Sequence, residues 1–365
     1  MSVRVLPFGL RGGGLLKALL SQSVSRRCGS SSAVLEYARF GNPPEVVRLE
    51  ERGSPSEPLG PGKVLLRTLA APVNPADINM IQGIYAIKPS LPAVGGNEGV
   101  FRVEDVGPGV SELRSGDWVI PAGAGLGTWL EWTLADEKVL WKISPNLPLE
   151  AAASLVVNPP TAYRMLRDFA ALDQGDALIQ NGANSAVGMY VIQLARIIGF
   201  RTINVIRDRP DFAAVRDQLT SLGADHVITE DQLKGAEGRQ ILAQLPTQPK
   251  LGLNCVGGRS TLYLASALGK RGVLVTYGGM SKQPLMVPTG PLIFNDIRLA
   301  GFWMSKWYTF PGNEDKRKKM LEKLTTFFET GQLKAPPFVR VRLRDYQRVL
   351  EKAVEGSGQK QMFVF

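Results

Sequence analysis

The chain has 365 residues, 44% of them hydrophobic and 21% charged, with a formal net charge of +10, one histidine and two cysteines. That length accommodates two domains of ordinary size, and no apolar run approaches the ~18 residues that a membrane-spanning helix needs. Cys28 and Cys255 make no disulfide framework, and together with His226 they are too few and too scattered for the ligand set of a zinc ion or for a histidine-based triad.

In chain order, the first segment carries much of the charge. Before Glu36 there is no acidic residue, while Arg4, Arg11, Lys17, Arg26 and Arg27 lie among leucines and a serine-rich run from Ser21 to Ser32. This is the composition of a mitochondrial transit peptide, expected over residues 1–32 and directing the chain to the matrix. A basic arm for nucleic acid is the alternative. Without those five side chains the chain holds 38 Lys+Arg against 33 Asp+Glu, a net +5, so no nucleic-acid groove is called for. The remaining charge suits a phosphorylated ligand or an acidic carrier protein.

Residues 33–157 show short β-like runs between Gly and Pro: KVLLRTLAAPVN, GVFRVEDVG, GDWVIPAG, TWLEWTLA and VLWKIS. Their spacing predicts a small all-β barrel. Within it, NMIQGIYAIKPSLPAVGGNEGV (79–100) is nearly free of ionisable groups and holds one tyrosine, Tyr85. Such a tyrosine either packs or donates a proton in a cleft with few competing acids.

From 158 to 303 the pattern changes. DALIQNGANSAVGMYVIQLARIIGFRTINVIRDRPD reads as strand, turn, amphipathic helix and second strand. Helices over 211–222 and 259–269 then alternate with strands in DHVIT, which His226 opens, LGLNCVGG, GVLVTYGG and IRLAGFW. Strands alternating with helices predict right-handed βαβ units in a doubly wound parallel sheet, hence an α/β fold beside the β-barrel. Residues 304–365 supply a charged helix over 313–331 and a tail, KQMFVF, expected to return to the first domain.

Two constellations point to a dinucleotide. The turn Asn181-Gly182-Ala183-Asn184-Ser185-Ala186-Val187-Gly188 joins a strand to a helix, where backbone N–H groups and the helix N-terminus face a pyrophosphate. A strict G-x-G-x-x-G is not met: its glycine positions read Ala183, Ser185 and Gly188, and a plain strand–helix turn would look the same. The second strand, TINVI, ends in Arg207-Asp208-Arg209. An acid at that point suits a ribose 2′-hydroxyl, whereas guanidinium matches a 2′-phosphate, so NADPH is favoured over NADH. The alternative is a solvated charge cluster.

These stretches, with AAPVNPADINMIQGIY, LPAVGGNEGV, GDWVIPAGAGLGTW, NPPTAYRML, LGADHVITE, NCVGG, VTYGGMSKQP and GFWMSKW, resemble the zinc-free medium-chain dehydrogenases and reductases, and within them the mitochondrial trans-2-enoyl thioester reductases. Asn97 stands where zinc members of that superfamily place a histidine. The resemblance implies a GroES-like β-barrel catalytic domain (33–157), a Rossmann domain (158–303), NADPH, a homodimer joined at Rossmann edge strands, and enoyl thioesters of acyl-carrier protein or coenzyme A in mitochondrial fatty acid synthesis. It implies Tyr85 as the proton donor to C2 after hydride reaches C3. It further implies cofactor contacts from Asn158, from Asn184, Ser185, Ala186 and Val187 at the pyrophosphate, and from Arg207, Asp208 and Arg209 at the 2′-phosphate. Tyr277, Gly278, Gly279, Met280, Phe302, Trp303, Met304 and Lys360 complete that set, and no metal takes part. For Phe302 and Trp303 a core position is an equal alternative, with Trp303 otherwise touching the acyl chain. An NADPH:quinone oxidoreductase of the same superfamily, or a non-catalytic NADPH-binding protein, remains open.

Overall fold

The computed structural model describes residues 31–55, 58–356 and 359–365. The leader expected over 1–32, with Cys28, lies outside the described residues except for Ser31 and Ser32, which open the strand Ser31–Tyr37.

A six-stranded sheet carries the dinucleotide-binding half. Its order is His226–Thr229, Arg201–Ile206, Ala177–Asn181, Leu251–Asn254, Val273–Thr276 and Arg298–Gly301, parallel throughout. Ala177–Asn181 is buried along its whole length, which is why its sequence runs apolar rather than alternating. The order reverses between Ala177–Asn181 and Leu251–Asn254, so the crevice at their C-terminal ends is the topological switch point where such sheets bind ligands.

The other half is a curled antiparallel sheet centred on Lys63–Pro72, which pairs with Val100–Val106, Trp132–Asp136 and Lys360–Val364. Register shifts at Leu65/Leu66 and Thr68/Ala70 let this strand bend. The strand Lys360–Val364 lies between Lys63–Pro72 and Phe338–Arg342. One core spans both halves: Ala70, Val100 and Met362 from the barrel meet Tyr190, Met304 and Phe328 from the other side.

The barrel half also contains helices beyond those expected. Pro75–Ile81 and Leu149–Ala153 are too short to show a 3.6 period, whereas Tyr346–Glu355 has an amphipathic pattern legible in the sequence. The helices expected over 211–222, 259–269 and 313–331 are Phe212–Ser221, Gly258–Ala267 and Glu314–Glu329. No helix among the described residues is long and apolar enough to cross a membrane.

Candidate active site

The phosphate turn is built by a serine and a glycine. Ser185 caps the helix Ala186–Ile198, its Oγ accepting from Gly188 N at 3.1 Å. A Cβ at Gly188 would come within 2.5 Å of Ala183 O, so the helix can start this close to the strand only with glycine there. The helix N-terminus therefore opens on the crevice with N–H groups and positive dipole toward it.

The rim of the crevice is tied by amides. Asn181 Nδ2 donates to Asn254 Oδ1 at 2.8 Å, Asn181 Oδ1 accepts from Cys255 N at 2.7 Å, and Asn254 Nδ2 donates to Thr276 Oγ1 at 3.1 Å. These bonds hold three strand ends at one level. Immediately beyond them, Tyr277 Oη is buried without a hydrogen bond, near the Cys255 thiol and the Ser185 hydroxyl, and burial lifts its pKa well above the ordinary phenol value. Gly278 packs close, since a Cβ there would come to 2.7 Å from Cys255 O, and Gly279 beyond it is exposed. A glycine that lets the helix start against the strand and a capped helix end at the switch point fit a dinucleotide. Met280 is exposed at the outer edge.

The arginines differ. Arg209 makes two contacts to Asp211, one of them from Nη2 to Oδ2 at 2.8 Å. Arg207 is exposed and has no ion pair among the described residues. It is therefore the guanidinium available to a phosphate, with exposed Asp208 beside it.

Tyr85 sits just past the helix Pro75–Ile81. Ile84 N and Tyr85 N both return to Asn79 O, at 3.0 and 3.1 Å, and Gly83 takes a φ of +74° to make that reversal. The phenol then reaches the other half of the molecule. Trp303 Nε1 donates to Tyr85 Oη at 2.8 Å, and the rings meet edge-on with centroids 5.8 Å apart. The indole occupies an acceptor position on the oxygen and leaves the phenol's own hydrogen for something else. Burial raises the Tyr85 pKa, opposed by the Trp303 bond, raised further by the charge of Asp77 and lowered by Ser305. Phe302, by contrast, packs edge-on against Phe169 at 5.6 Å, and Met304 is buried, so the GFWM segment sends only its tryptophan to the phenol.

Tyr85, Asn74, Asn97, Ser305 and Tyr308 line a cavity of about 40 Å³ between the halves. Tyr308 closes one wall by donating to Val156 O at 2.8 Å, and the Arg317 guanidinium is held 4.3 Å from the centroids of both Tyr308 and Trp141.

Behind the cavity lies a buried polar network that sequence reasoning missed. Asn74 Nδ2 donates to Glu98 Oε1 at 2.6 Å, Val157 N to Glu98 Oε2 at 3.0 Å, and Asn97 Nδ2 to Asp77 Oδ1 at 2.6 Å. Lys360 Nζ donates to Asn74 Oδ1, and Asn158 Nδ2 lies 3.4 Å from Glu98 Oε1. Burial pushes Asp77 up to about 6 and Glu98 up to about 7, and holds the Lys360 ammonium down against the pull of both carboxylates. Two residues expected at the cofactor, Asn158 and Lys360, thus sit in this network beside the cavity. The position of the turn follows from its glycines: a Cβ at Gly95 or Gly96 would come within 2.6 Å of the fully buried Trp129 ring, so only glycine lets Asn97 and Glu98 follow at this depth. One signal was available, since Asn74-Pro75-x-Asp77 is a helix-capping pattern, and Asp77 Oδ2 does accept from Asn74 N at 2.7 Å. Among the described residues no group of three His, Cys, Asp or Glu side chains could hold a metal ion.

Comparison with known proteins matches residues 60–145 to the alcohol dehydrogenase GroES-like domain and residues 186–321 to the zinc-binding dehydrogenase family. A mitochondrial enoyl-[acyl-carrier-protein] reductase of Caenorhabditis elegans is 48% identical over 350 residues, covering 96% of this chain and 99% of the relative. Among solved structures, the mitochondrial 2-enoyl thioester reductase Etr1p/Etr2p heterodimer from Candida tropicalis superimposes with a TM-score of 0.86 at 34% identity, covering 92% of this chain and 100% of that one. The Etr1p complex with NADP and crotonyl-CoA does so with a TM-score of 0.87 at 35% identity and the same coverage of 92% and 100%.

Proposed function

Because the chain belongs to the mitochondrial enoyl-[acyl-carrier-protein] reductases, we infer that Tyr85 is the acid with which it reduces trans-2-enoyl thioesters. The enzyme is an NADPH-dependent, mitochondrial oxidoreductase of fatty acid synthesis with a GroES-like domain and a Rossmann domain. Its substrates are enoyl thioesters of acyl-carrier protein or coenzyme A.

When bound, NADPH supplies the hydride that adds at C3. The chain's own residues do the rest. Charge develops toward C2 and the thioester oxygen, and C2 needs a proton. A phenol with its pKa above the ordinary ~10 keeps that proton at neutral pH and gives it up only to a strong developing base. Trp303 fixes the phenol oxygen, so the hydroxyl hydrogen is the mobile part. Val156, Tyr308 and Met304 line the same cavity and give the phenol a largely apolar wall. Ser185, Asn184, Ala186 and Val187 hold the pyrophosphate, Arg207 the 2′-phosphate with Arg209 and Asp208 beside it, and Tyr277 through Met280 the nicotinamide side. Asn158 and Lys360 serve the cofactor through the network around Asn74.

The observation that carries this reading is the 2.8 Å bond from Trp303 to Tyr85, which ties a barrel phenol to the dinucleotide-binding half. Purified protein given NADPH with crotonyl-CoA or 2-hexenoyl-CoA should oxidise the nicotinamide far faster than with a quinone, and faster than with NADH. Equal or greater rates on quinones would sink the assignment.

A homodimer is part of the same proposal. Its support is the edge strand Arg298–Gly301, which among the described residues pairs on one side only; it carries exposed Leu299 and follows exposed Ile293 and Phe294, the last 78% exposed. Sedimentation at micromolar concentration should give twice the chain mass.

A further inference from the structure

One cation stands where an apolar side chain would suit the surroundings. Arg317 lies on the helix Glu314–Glu329, whose other buried side chains are Met320, Leu321, Leu324 and Phe328, and it is 8% exposed. Its Nε has no hydrogen-bond partner, and no carboxylate pairs with the guanidinium among the described residues. A buried, unpaired charge costs more than the leucine or methionine that could fill the same place. What the guanidinium has instead is two rings. It lies 4.3 Å from the centroid of Trp141, on the barrel strand Leu140–Ile143, and 4.3 Å from that of Tyr308. A planar cation between two π faces is a stiff slab, where an aliphatic chain could change rotamer and give way. Tyr308 is thus fixed twice, by its ring on Arg317 and by its hydroxyl on Val156 O at 2.8 Å. Tyr308 and Val156 both line the cavity of about 40 Å³ that holds Tyr85. With Tyr85 delivering its proton to C2, the acyl carbons beyond C3 run along the walls of that cavity. One bank, with Asn74 and Asn97, is polar and tied to buried carboxylates, so an alkyl tail is directed to the other, formed by Val156, Met304 and Tyr308. A body of methylene or water size takes roughly 10–15 Å³ of such space, so about three of them fill it.

We propose that Trp141, Arg317 and Tyr308 form the end stop of the acyl site and fit this enzyme to short-chain enoyl thioesters. It rests on the reading of Tyr85 as the acid that serves an enoyl thioester. A tail of about one to three carbons beyond C3 fits the space before Tyr308. A longer tail has to move a ring held by a hydrogen bond on one side and by a cation stack anchored in the barrel on the other. Length is therefore sorted by exclusion, whereas a site open to the tail would gain roughly fourfold for each methylene it buried. Tyr308 is the wall that the tail meets. Arg317 acts through Tyr308 and is a positioning residue.

The whole enzyme, given NADPH and trans-2-enoyl-CoA esters from crotonyl through hexenoyl and decenoyl to hexadecenoyl, tests this through kcat/KM at each length. Wild type should fall at least about tenfold between hexenoyl and decenoyl. Arg317→Ala frees the face of Tyr308 and should raise the ratio of decenoyl to crotonyl kcat/KM at least about tenfold over wild type, the value of roughly two buried methylenes. Tyr308→Phe keeps the ring and loses its bond to Val156 O; it should raise the same ratio about threefold, and serves if Arg317→Ala does not fold. A loosened fold lowers the rate on both esters alike and leaves their ratio where it was, so a ratio unchanged by the variants means that Arg317 only packs, and overturns the proposal. So does a wild-type profile that is flat or rises toward hexadecenoyl. Failure of the underlying reading looks different: no enoyl ester of any length would be reduced, or Tyr85→Phe would remain active in the same assay.

Discussion

Replacing Tyr85 with phenylalanine removes one oxygen and separates chemistry from structure. The edge-on contact with Trp303, at 5.8 Å between centroids, survives the change. What is lost structurally is the acceptor of the Trp303 N–H, for which a buried donor costs ~1–3 kcal/mol. Both side chains are only partly buried, so about 1 kcal/mol is expected, a shift of a few degrees in Tm. What is lost chemically is a general acid, worth roughly 10²–10⁴-fold, or about 3–5 kcal/mol in the barrier. Nicotinamide absorbance with crotonyl-CoA should therefore show kcat down at least a hundredfold, with NADPH binding by fluorescence within threefold of wild type. Trp303→Phe is the companion: it keeps the acid and loses one hydrogen bond of about 0.5–1.5 kcal/mol, so roughly two- to tenfold in kcat/KM. If Tyr85→Phe stayed within fivefold of wild type, or fell less than Trp303→Phe, the reasoning would be wrong.

Other outcomes follow from the same geometry. Arg207→Ser should weaken NADPH binding about 10- to 100-fold, the value of one or two charge-assisted hydrogen bonds, and leave NADH within threefold; Arg209→Ser should do less, because Arg209 is already engaged by Asp211. Isothermal titration with both nucleotides decides it, and equal losses for the two would refute it. Gly188→Ala drives a Cβ to within 2.5 Å of Ala183 O and should destabilise by about 1–3 kcal/mol, read as a lower urea midpoint, together with weaker NADPH binding. Glu98, fully buried, has its pKa raised from 4.5 to about 7, so the stability it contributes is fully present below 4.5 and is lost as pH rises through 7. Relative to Glu98→Gln, wild type should lose on the order of 2–3 kcal/mol between pH 5 and 8. Urea unfolding across that range would show it, and a pH-independent difference between the two proteins would refute it.

Much of the dinucleotide-binding half is legible because its signals are local. NGANSAVG lies between a buried strand and a capped helix, and RDR follows the next strand, all within about thirty residues. Tyr85 could be singled out from its loop but not partnered, since Trp303 stands 218 positions away and only the closed fold joins them. The network around Glu98 was illegible for a different reason. Asn74, Asp77, Asn97 and Glu98 look like ordinary turn and cap residues, and what makes them unusual is burial, which composition does not report. Lys360 was expected beside the cofactor because of the resemblance; that its amine is sunk between two carboxylates is set by the strand Lys360–Val364 entering the sheet. Pro75–Ile81 and Leu149–Ala153 hid because five to seven residues give too few repeats to register as helical, while Tyr346–Glu355 carries a periodicity that the sequence does show.

The return of Lys360–Val364 to the middle of the barrel sheet has a consequence for biogenesis. A ribosome or an import channel delivers the chain from its amino end, and every strand from Ala177 to Gly301 is available before that segment emerges. The strand Lys63–Pro72 must wait for a partner far downstream, where Met362 pairs with Pro72 and Val364 with Ala70. The barrel sheet is therefore completed by a pairing of very long sequence separation, whereas each strand of the parallel sheet finds its neighbour within a much shorter stretch of chain.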